Sequence, residues 1–160
     1  MIKFASNDLI PFNVYNAIET SDQNHFDSPA ATAIQINSGG YVETLSFTSS
    51  NQTWVHFDVV ITQVLAGFPV LEFINTTTQL TFKSGGNIQL PNLTQFGTLL
   101  FKNDGQYKVD IHFSQPDGFV KVYINSVLMS TTNHPNVLSP TKLEFYSTDD
   151  TNPTYFSQII

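Results

Sequence analysis

The chain of 160 residues contains neither cysteine nor arginine. The absence of cysteine excludes disulfide bonds, thiolate catalysis and cysteine-bound zinc. Because all six basic residues are lysine, the chain has no guanidinium fork for bidentate contacts to phosphates or bases. The formal net charge of −7 and the lack of a basic stripe then argue against nucleic acid as a partner.

Charged residues and long apolar runs are also scarce. Charged side chains make up 12% of the sequence, about half the usual share. Uncharged polar residues are abundant instead, with 18 Thr, 14 Asn and 14 Ser. Thr suits strands, whereas Asn and Ser supply turns, so this composition favours a β-rich domain with many loops. No apolar run approaches the ~20 residues of a membrane helix. The first residues, MIKFASNDLIPFN, also lack the pattern of a secretory signal, so we expect no membrane partner.

Apolar residues recur with a period of two along most of the chain, which is typical of strands with one buried face. Turn signals such as NSGG, QPDG and TDDTNP separate the alternating segments. The pattern predicts an all-β, two-sheet antiparallel sandwich as a single domain over 1–160, in which 1–30 are an N-terminal extension or the first strands. The predicted strands lie near 2–6, 10–16, 31–37, 41–48, 53–64, 69–75, 78–83, 86–90, 97–102, 106–114, 118–125, 141–147 and 154–160.

The clearest pattern is a hairpin in the segment YKVDIHFSQPDGFVKVYINSVL, residues 107–128. Pro116 presets its own backbone angle and Gly118 accepts a positive φ, so QPDG forms the turn. Lys108, Asp110 and His112 point away from the core. The core face of this hairpin consists of Tyr107, Val109, Ile111, Phe113, Val120, Val122 and Ile124.

This hairpin resembles the laminin-G-like branch of the concanavalin A-like lectin/glucanase superfamily. That pattern is an aromatic-led alternating strand, a D-G turn and a strand that ends in a vYvNGxL phrase, which here read YKVDIHF, QPDG and FVKVYINSVL. The resemblance covers about residues 31–160, with Ser126 where the family usually has Gly and Tyr107 where Trp is common. It implies a jelly-roll fold, whose members bind sugars, bind proteins or serve as structural modules.

Catalytic patterns are missing from the sequence, so we expect no enzyme and no catalytic residues. Glucanases of this superfamily place carboxylates at i, i+2 and i+4 along one strand, whereas Glu72, Glu144 and Asp110 each stand alone among apolar neighbours. The four histidines have no metal-site spacing, and no nucleophile elbow occurs.

Two groups of residues are candidate binding sites. Trp54, His56 and Asp58 share the outer face of one strand, where an aromatic ring with polar neighbours can stack a sugar. The alternative is a solvated outer face, or a tryptophan covered by a loop or a neighbouring subunit. Asp149, Asp150 and Asn152 carry oxygen ligands suited to calcium, which is common in the family that the chain resembles. The alternative there is an ordinary turn, and we expect no other cofactor.

Two function classes remain open at this stage. The first is a non-enzymatic bacteriophage virion protein (a capsid decoration, tail or fibre component), because small standalone domains of this type resemble those in phage particles. The alternative is a carbohydrate-binding module. The uncharged terminal run TYFSQII would be aggregation-prone at an exposed edge. It therefore pairs within the domain or with another subunit. We expect the chain to form a homo-oligomer, and we expect other virion proteins as further partners.

Overall fold

The structure is a computed structural model, and it describes residues 12–20, 33–48, 50–62, 68–74, 79–82, 88–89, 105–133, 139–147, 152–157 and 159. No helix of the length and hydropathy needed to cross a bilayer occurs among these residues. The described elements are eleven strands: β1 Phe12–Thr20, β2 Ala33–Thr44, β3 Gln52–Ile61, β4 Phe68–Ile74, β5 Gln79–Phe82, β6 Ile88–Gln89, β7 Gly105–Ser114, β8 Phe119–Ile124, β9 Val127–Asn133, β10 Lys142–Tyr146 and β11 Thr154–Ser157.

The strands pair antiparallel in the order β6-β5-β4-β10-β2-β11-β3-β7-β8-β9, and β1 pairs with β2. The two halves of β2 have different partners, because residues 34–36 pair with β11 and residues 41–43 pair with β10. The path therefore folds into two layers that share β2 and β1. We call β6-β5-β4-β10-β2-β1 sheet A and β1-β2-β11-β3-β7-β8-β9 sheet B. The predicted all-β, two-sheet jelly-roll sandwich is confirmed.

The corner between the two sheets lies where the sequence predicts a turn. The NSGG segment was expected to separate strands 31–37 and 41–48, but β2 runs through it without a break. Gly39 has a φ of +67°, and the β1 residue opposite, Asn16, has a φ of +51° in a bulge. A Cβ at Gly40 would lie 2.5 Å from the Asn16 carbonyl oxygen, so only glycine lets the two strands bend this closely together.

The core fills the space between the sheets. The predicted inward face of the 107–128 hairpin is confirmed, since all seven of its residues are buried. Sheet A contributes the ring of Phe145, which lies 5.5 Å from that of Phe57 and 5.0 Å from that of Phe156, both on sheet B. These edge-on contacts join the two layers.

The predicted QPDG turn is also confirmed, and a second tight turn follows it. Gly118 has a φ of +62°, and Asp117 accepts a hydrogen bond of 2.6 Å from Ser114 Oγ. Asn125 and Ser126 have φ of +49° and +66°, so they form a primed two-residue turn from β8 into β9. The sequence analysis did not predict β9.

The terminal strand is an interior strand of sheet B. β11 pairs with β2 on one side and with β3 on the other, and all four of its residues are buried. Of the two arrangements expected for TYFSQII, the structure has the pairing within the domain. The homo-oligomer inferred from this segment stays a prediction, as do the expected strands at 2–6 and 97–102, which lie outside the described residues.

Candidate functional site

The outer face of sheet B carries an exposed aromatic stack. Trp54 on β3 is opposite His112 on β7, and their rings are parallel, with centroids 4.1 Å apart and an interplanar angle of 6°. Trp54 is 55% exposed. β11 pairs with β3 only from Asp58 to Ile61, so no described strand lies on the other side of the indole. One indole face therefore lies on the imidazole, and no described strand covers the other.

Two more rings and a lysine extend this stack across the sheet. The ring of Tyr123 lies 5.9 Å from the Trp54 ring, and Phe119 packs edge-on against His112 with centroids 5.2 Å apart. Lys121 is the cross-strand neighbour of His112, and its Nζ lies 4.3 Å from the Phe119 ring centroid. Burial and the nearby Lys121 ammonium lower the pKa of His112, so the imidazole under Trp54 is neutral near pH 7.

A row of hydrogen-bonding groups runs beside the stack. His56 Nδ1 lies 2.7 Å from Asp110 Oδ1, and its Nε2 lies 3.6 Å from Asp58 Oδ1. The register places Asp110 opposite both His56 and Tyr123, and Lys108 opposite Asp58. The open indole is therefore flanked by side chains that donate and accept hydrogen bonds.

Exposure falls along β3 from Trp54 towards Val60. Asp58 is only 4% exposed, and its Oδ1 has no hydrogen-bond partner among the described residues. Ser157 is its cross-strand neighbour on β11, and the Ser157 hydroxyl is likewise buried without a partner. Burial raises the pKa of Asp58, although Lys108 and His56 oppose the shift. The site thus has an open aromatic end and a buried acidic end.

Sequence reasoning identified one strand of this site. Trp54, His56 and Asp58 share the outer face of β3, but only Trp54 is strongly exposed and Asp58 is buried. His112, Asp110 and Tyr123 were not candidates, because they come from β7 and β8. The alternating pattern of those strands already put His112 and Asp110 on the outer face, but the register that brings them beside Trp54 is not visible in the sequence.

The predicted calcium site falls mostly outside the described residues. Asp149 and Asp150 are not among them. Asn152 is described, and its backbone carbonyl accepts a hydrogen bond of 3.2 Å from Ser147 Oγ. In the described part of the chain, no three His, Asp or Glu side chains form a group suited to a metal ion. Calcium binding at Asp149, Asp150 and Asn152 stays a prediction.

The expectation that Glu72, Glu144 and Asp110 each stand alone is wrong in the folded chain, because Glu144 is opposite both Glu43 and Glu72, and Asp110 bonds His56. Glu144 on β10 is opposite Glu43 on β2, and Lys142 bridges their two carboxylates. Hydrogen bonds from Lys142 and Asn13 lower the pKa of Glu43, whereas burial raises the pKa of Glu144. The sequence hid this pair because its members are far apart along the chain and meet only across the strands of sheet A.

Comparison with known proteins places the fold but no family. No protein-family model matches the chain, and no curated protein sequence matches it. Domain 4 of an extracellular arabinanase from Geobacillus stearothermophilus, solved in complex with arabinotriose, is similar over 95% of this chain and 87% of its own, with a TM-score of 0.66 and 14% identity. A sialidase is similar over 93% of this chain, with a TM-score of 0.64 and 14% identity.

A third neighbour is the binding domain of botulinum neurotoxin DC, solved in complex with a ligand named SialylT. It is similar over 92% of this chain, with a TM-score of 0.65 and 14% identity. The present chain spans only 16% of the sialidase and 41% of the toxin domain. At these identities the neighbours show the fold alone, an antiparallel β-sandwich.

Proposed function

We propose that the protein is a lectin-like, glycan-binding domain whose site is the Trp54 face of sheet B. The observation that carries the proposal is the half-exposed indole of Trp54, which lies parallel on His112 with its other face open. A flat apolar ring matches the C–H face of a sugar. The imidazole beneath holds the ring in a fixed orientation, so little side-chain freedom is lost on binding.

The polar groups beside the indole suit the hydroxyls of a bound sugar. A hydroxyl both donates and accepts, and His56, Asp110 and Tyr123 supply both functions within a few ångströms of one another. His56 and Asp110 already bond each other, which fixes their orientation before a ligand arrives. Fixed polar groups around an aromatic surface are the usual construction of small-molecule sites.

The comparisons support the same reading. The arabinanase domain is similar over most of its own length as well as over most of this chain. That neighbour is solved with arabinotriose, and the toxin domain has the ligand named SialylT. None of the three neighbours described above is named as a virion protein. The virion role, the virion location and virion partners therefore stay predictions without further support.

A glycan array combined with calorimetry tests the proposal. The array carries arabino-, xylo-, gluco- and manno-oligosaccharides together with sialylated lactose, and the strongest of these is titrated into the protein. We expect Trp54→Ala to weaken binding by about tenfold or more, the loss of one well-stacked aromatic contact. Trp54→Phe, which keeps a smaller ring, loses less.

Leu45 offers a matched control, because its side chain is 59% exposed and it follows the end of β2 that pairs with β10 in sheet A. We expect Leu45→Ala to leave the affinity unchanged. The proposal is wrong if no array glycan binds, or if Trp54→Ala binds as well as the unaltered protein.

A further inference from the structure

Sheet A carries a second exposed aromatic row on its outer face. Tyr15, Tyr41 and Tyr146 are opposite one another on β1, β2 and β10. The rings of Tyr15 and Tyr41 stack with centroids 5.7 Å apart and an interplanar angle of 24°, and the ring of Tyr146 lies 6.0 Å beyond Tyr41. We call these three residues the tyrosine row. They are absent from the site described above, which lies on the opposite face of the sandwich.

Tyr15, at the end of the tyrosine row, is exposed like Trp54 and stacks less closely on its neighbour. Tyr15 is 60% exposed. It lies on β1, which pairs only with β2 in the part of the chain that the structure describes. One face of the Tyr15 ring is therefore held by Tyr41, and the other faces outward over the sheet edge. Trp54 and Tyr15 are thus both exposed rings that stack on a ring of a neighbouring strand.

A row of polar groups runs parallel to the tyrosine row, two residues away along each of the same three strands. Asn13, Glu43 and Glu144 are opposite one another on the same three strands. Asn13 Nδ2 donates to Glu43 Oε1 at 2.9 Å, and Lys142 bonds Glu43 and lies 3.5 Å from Glu144 Oε1. The Tyr146 hydroxyl donates to Glu144, which ties the polar row to the tyrosine row. These bonds fix the carboxylates, and a carboxylate oxygen can accept more than one hydrogen bond, so each can also accept from a hydroxyl of a ligand.

The charge of this face selects among ligands. Among the described side chains of the polar row, two carboxylates lie against one ammonium, that of Lys142, within a chain of net charge −7. An acidic sugar is therefore repelled, whereas the hydroxyls of an uncharged sugar find acceptors. The three rings lie 5.7 and 6.0 Å apart across neighbouring strands, so the row forms an elongated surface that suits an oligosaccharide better than a single sugar unit.

From these contacts we infer that the tyrosine row and the polar row of Asn13, Glu43 and Glu144 form a second glycan site, specific for uncharged oligosaccharides. The inference shares only its ligand class with the proposed function, because it uses no residue of the Trp54 site. Two sites on opposite faces make the domain bivalent, so that one copy links two glycan chains and gains avidity on a dense glycan surface.

The experiment compares single and double variants on the array defined above. The proteins are the unaltered chain, Trp54→Ala, Tyr15→Ala and the double variant, and Tyr15→Phe serves as the matched variant that keeps the ring. We expect Trp54→Ala to bind uncharged oligosaccharides about tenfold more weakly, through the second site alone, and the double variant to lose about tenfold more. Tyr15→Phe keeps the binding that Tyr15→Ala loses, and calorimetry with the strongest uncharged glycan gives two sites per unaltered chain.

The outcomes separate this inference from the proposed function. If Trp54→Ala alone removes all binding and Tyr15→Ala changes nothing, the second site is wrong and the first survives. If Tyr15→Ala alone removes all binding, the Trp54 proposal is wrong and the second site survives. Light scattering tests whether a second copy of the chain, rather than a glycan, occupies the tyrosine row. A dimer that Tyr15→Ala dissociates overturns the inference. Leu45→Ala, at a residue that is 59% exposed, controls for the loss of exposed apolar surface.

Discussion

Trp54 and His112 lie on neighbouring strands with parallel rings 4.1 Å apart, so the exposed indole on the outer face of sheet B rests on an imidazole. The contact explains why the indole keeps one orientation at the protein surface. It also places a titratable group under the candidate site, where burial favours the neutral form. The proposed glycan binding depends on this pair.

The pairing predicts a pH dependence of stability. Burial lowers the pKa of His112 below its ordinary value of 6.5, so the unfolded chain gains this proton at a higher pH than the folded chain. The contribution of neutral His112 to the free energy of unfolding is therefore fully present above pH 6.5. This contribution is lost as the pH falls through the lowered pKa of the folded state. His112→Phe keeps the ring but removes the titration. Urea unfolding between pH 5 and 8 should show a smaller acid loss in this variant, and equal slopes would contradict the assignment.

The core prediction concerns Phe113, which is fully buried between the sheets. Phe113→Ala removes a large ring from a packed interior and should lower the free energy of unfolding by roughly 3–5 kcal/mol. Chemical denaturation measures the change. Leu128→Ala on the exposed edge strand should change stability by only about 0.5 kcal/mol or less. A loss below 1 kcal/mol for Phe113→Ala would mean that the hairpin register is wrong.

Ser126 offers a stabilising change. Its φ of +66° is a left-handed conformation that a residue with a Cβ adopts at a cost, whereas glycine adopts it without this steric penalty. Ser126→Gly should therefore raise the free energy of unfolding by about 0.5–1 kcal/mol and raise the melting temperature. Ser126→Ala keeps the Cβ and should give no gain. If both variants melt alike, the turn is not strained at this residue.

The corner needs glycine for two different reasons: a positive φ at Gly39 and close backbone contact at Gly40. Gly39 has a positive φ, but a Cβ added there would meet open space, so Gly39→Ala should cost about 1–2 kcal/mol. At Gly40 an added Cβ would lie 2.5 Å from the Asn16 carbonyl oxygen and 2.8 Å from that of Tyr15. Gly40→Ala should therefore destabilise more than Gly39→Ala. The reverse order in thermal melts would show that the sheets do not approach this closely at the bend.

Strands with one buried face could be predicted from the sequence, and strands without one could not. The inward face of β7 and β8 alternates strictly, because every second residue must leave water. β9 has no such signal, since Val127 and Leu128 are 60% and 49% exposed. The Gly39–Gly40 corner was taken for a turn because glycine pairs serve both purposes, and only the bulge at Asn16 distinguishes them.

The same limit applies to the candidate site. Trp54, His56 and Asp58 are spaced i, i+2 and i+4, so their common face follows from the strand period alone. His112 and Glu144 gain their partners through strand register, which depends on pairings between distant segments. The interior position of β11 is a long-range pairing of the same kind. A run such as TYFSQII has the same pattern at an edge as in the middle of a sheet.

Intrinsic fluorescence tests the central claim most directly, because Trp54 is the only tryptophan in the chain. The array glycan that binds most strongly is titrated into Tyr15→Ala, so that only the Trp54 site is followed, and binding is measured in parallel by calorimetry. If a sugar covers the open face of the indole, the emission shifts to shorter wavelength and saturates with the calorimetric dissociation constant. Calorimetric binding to this variant with unchanged Trp54 emission would contradict the account.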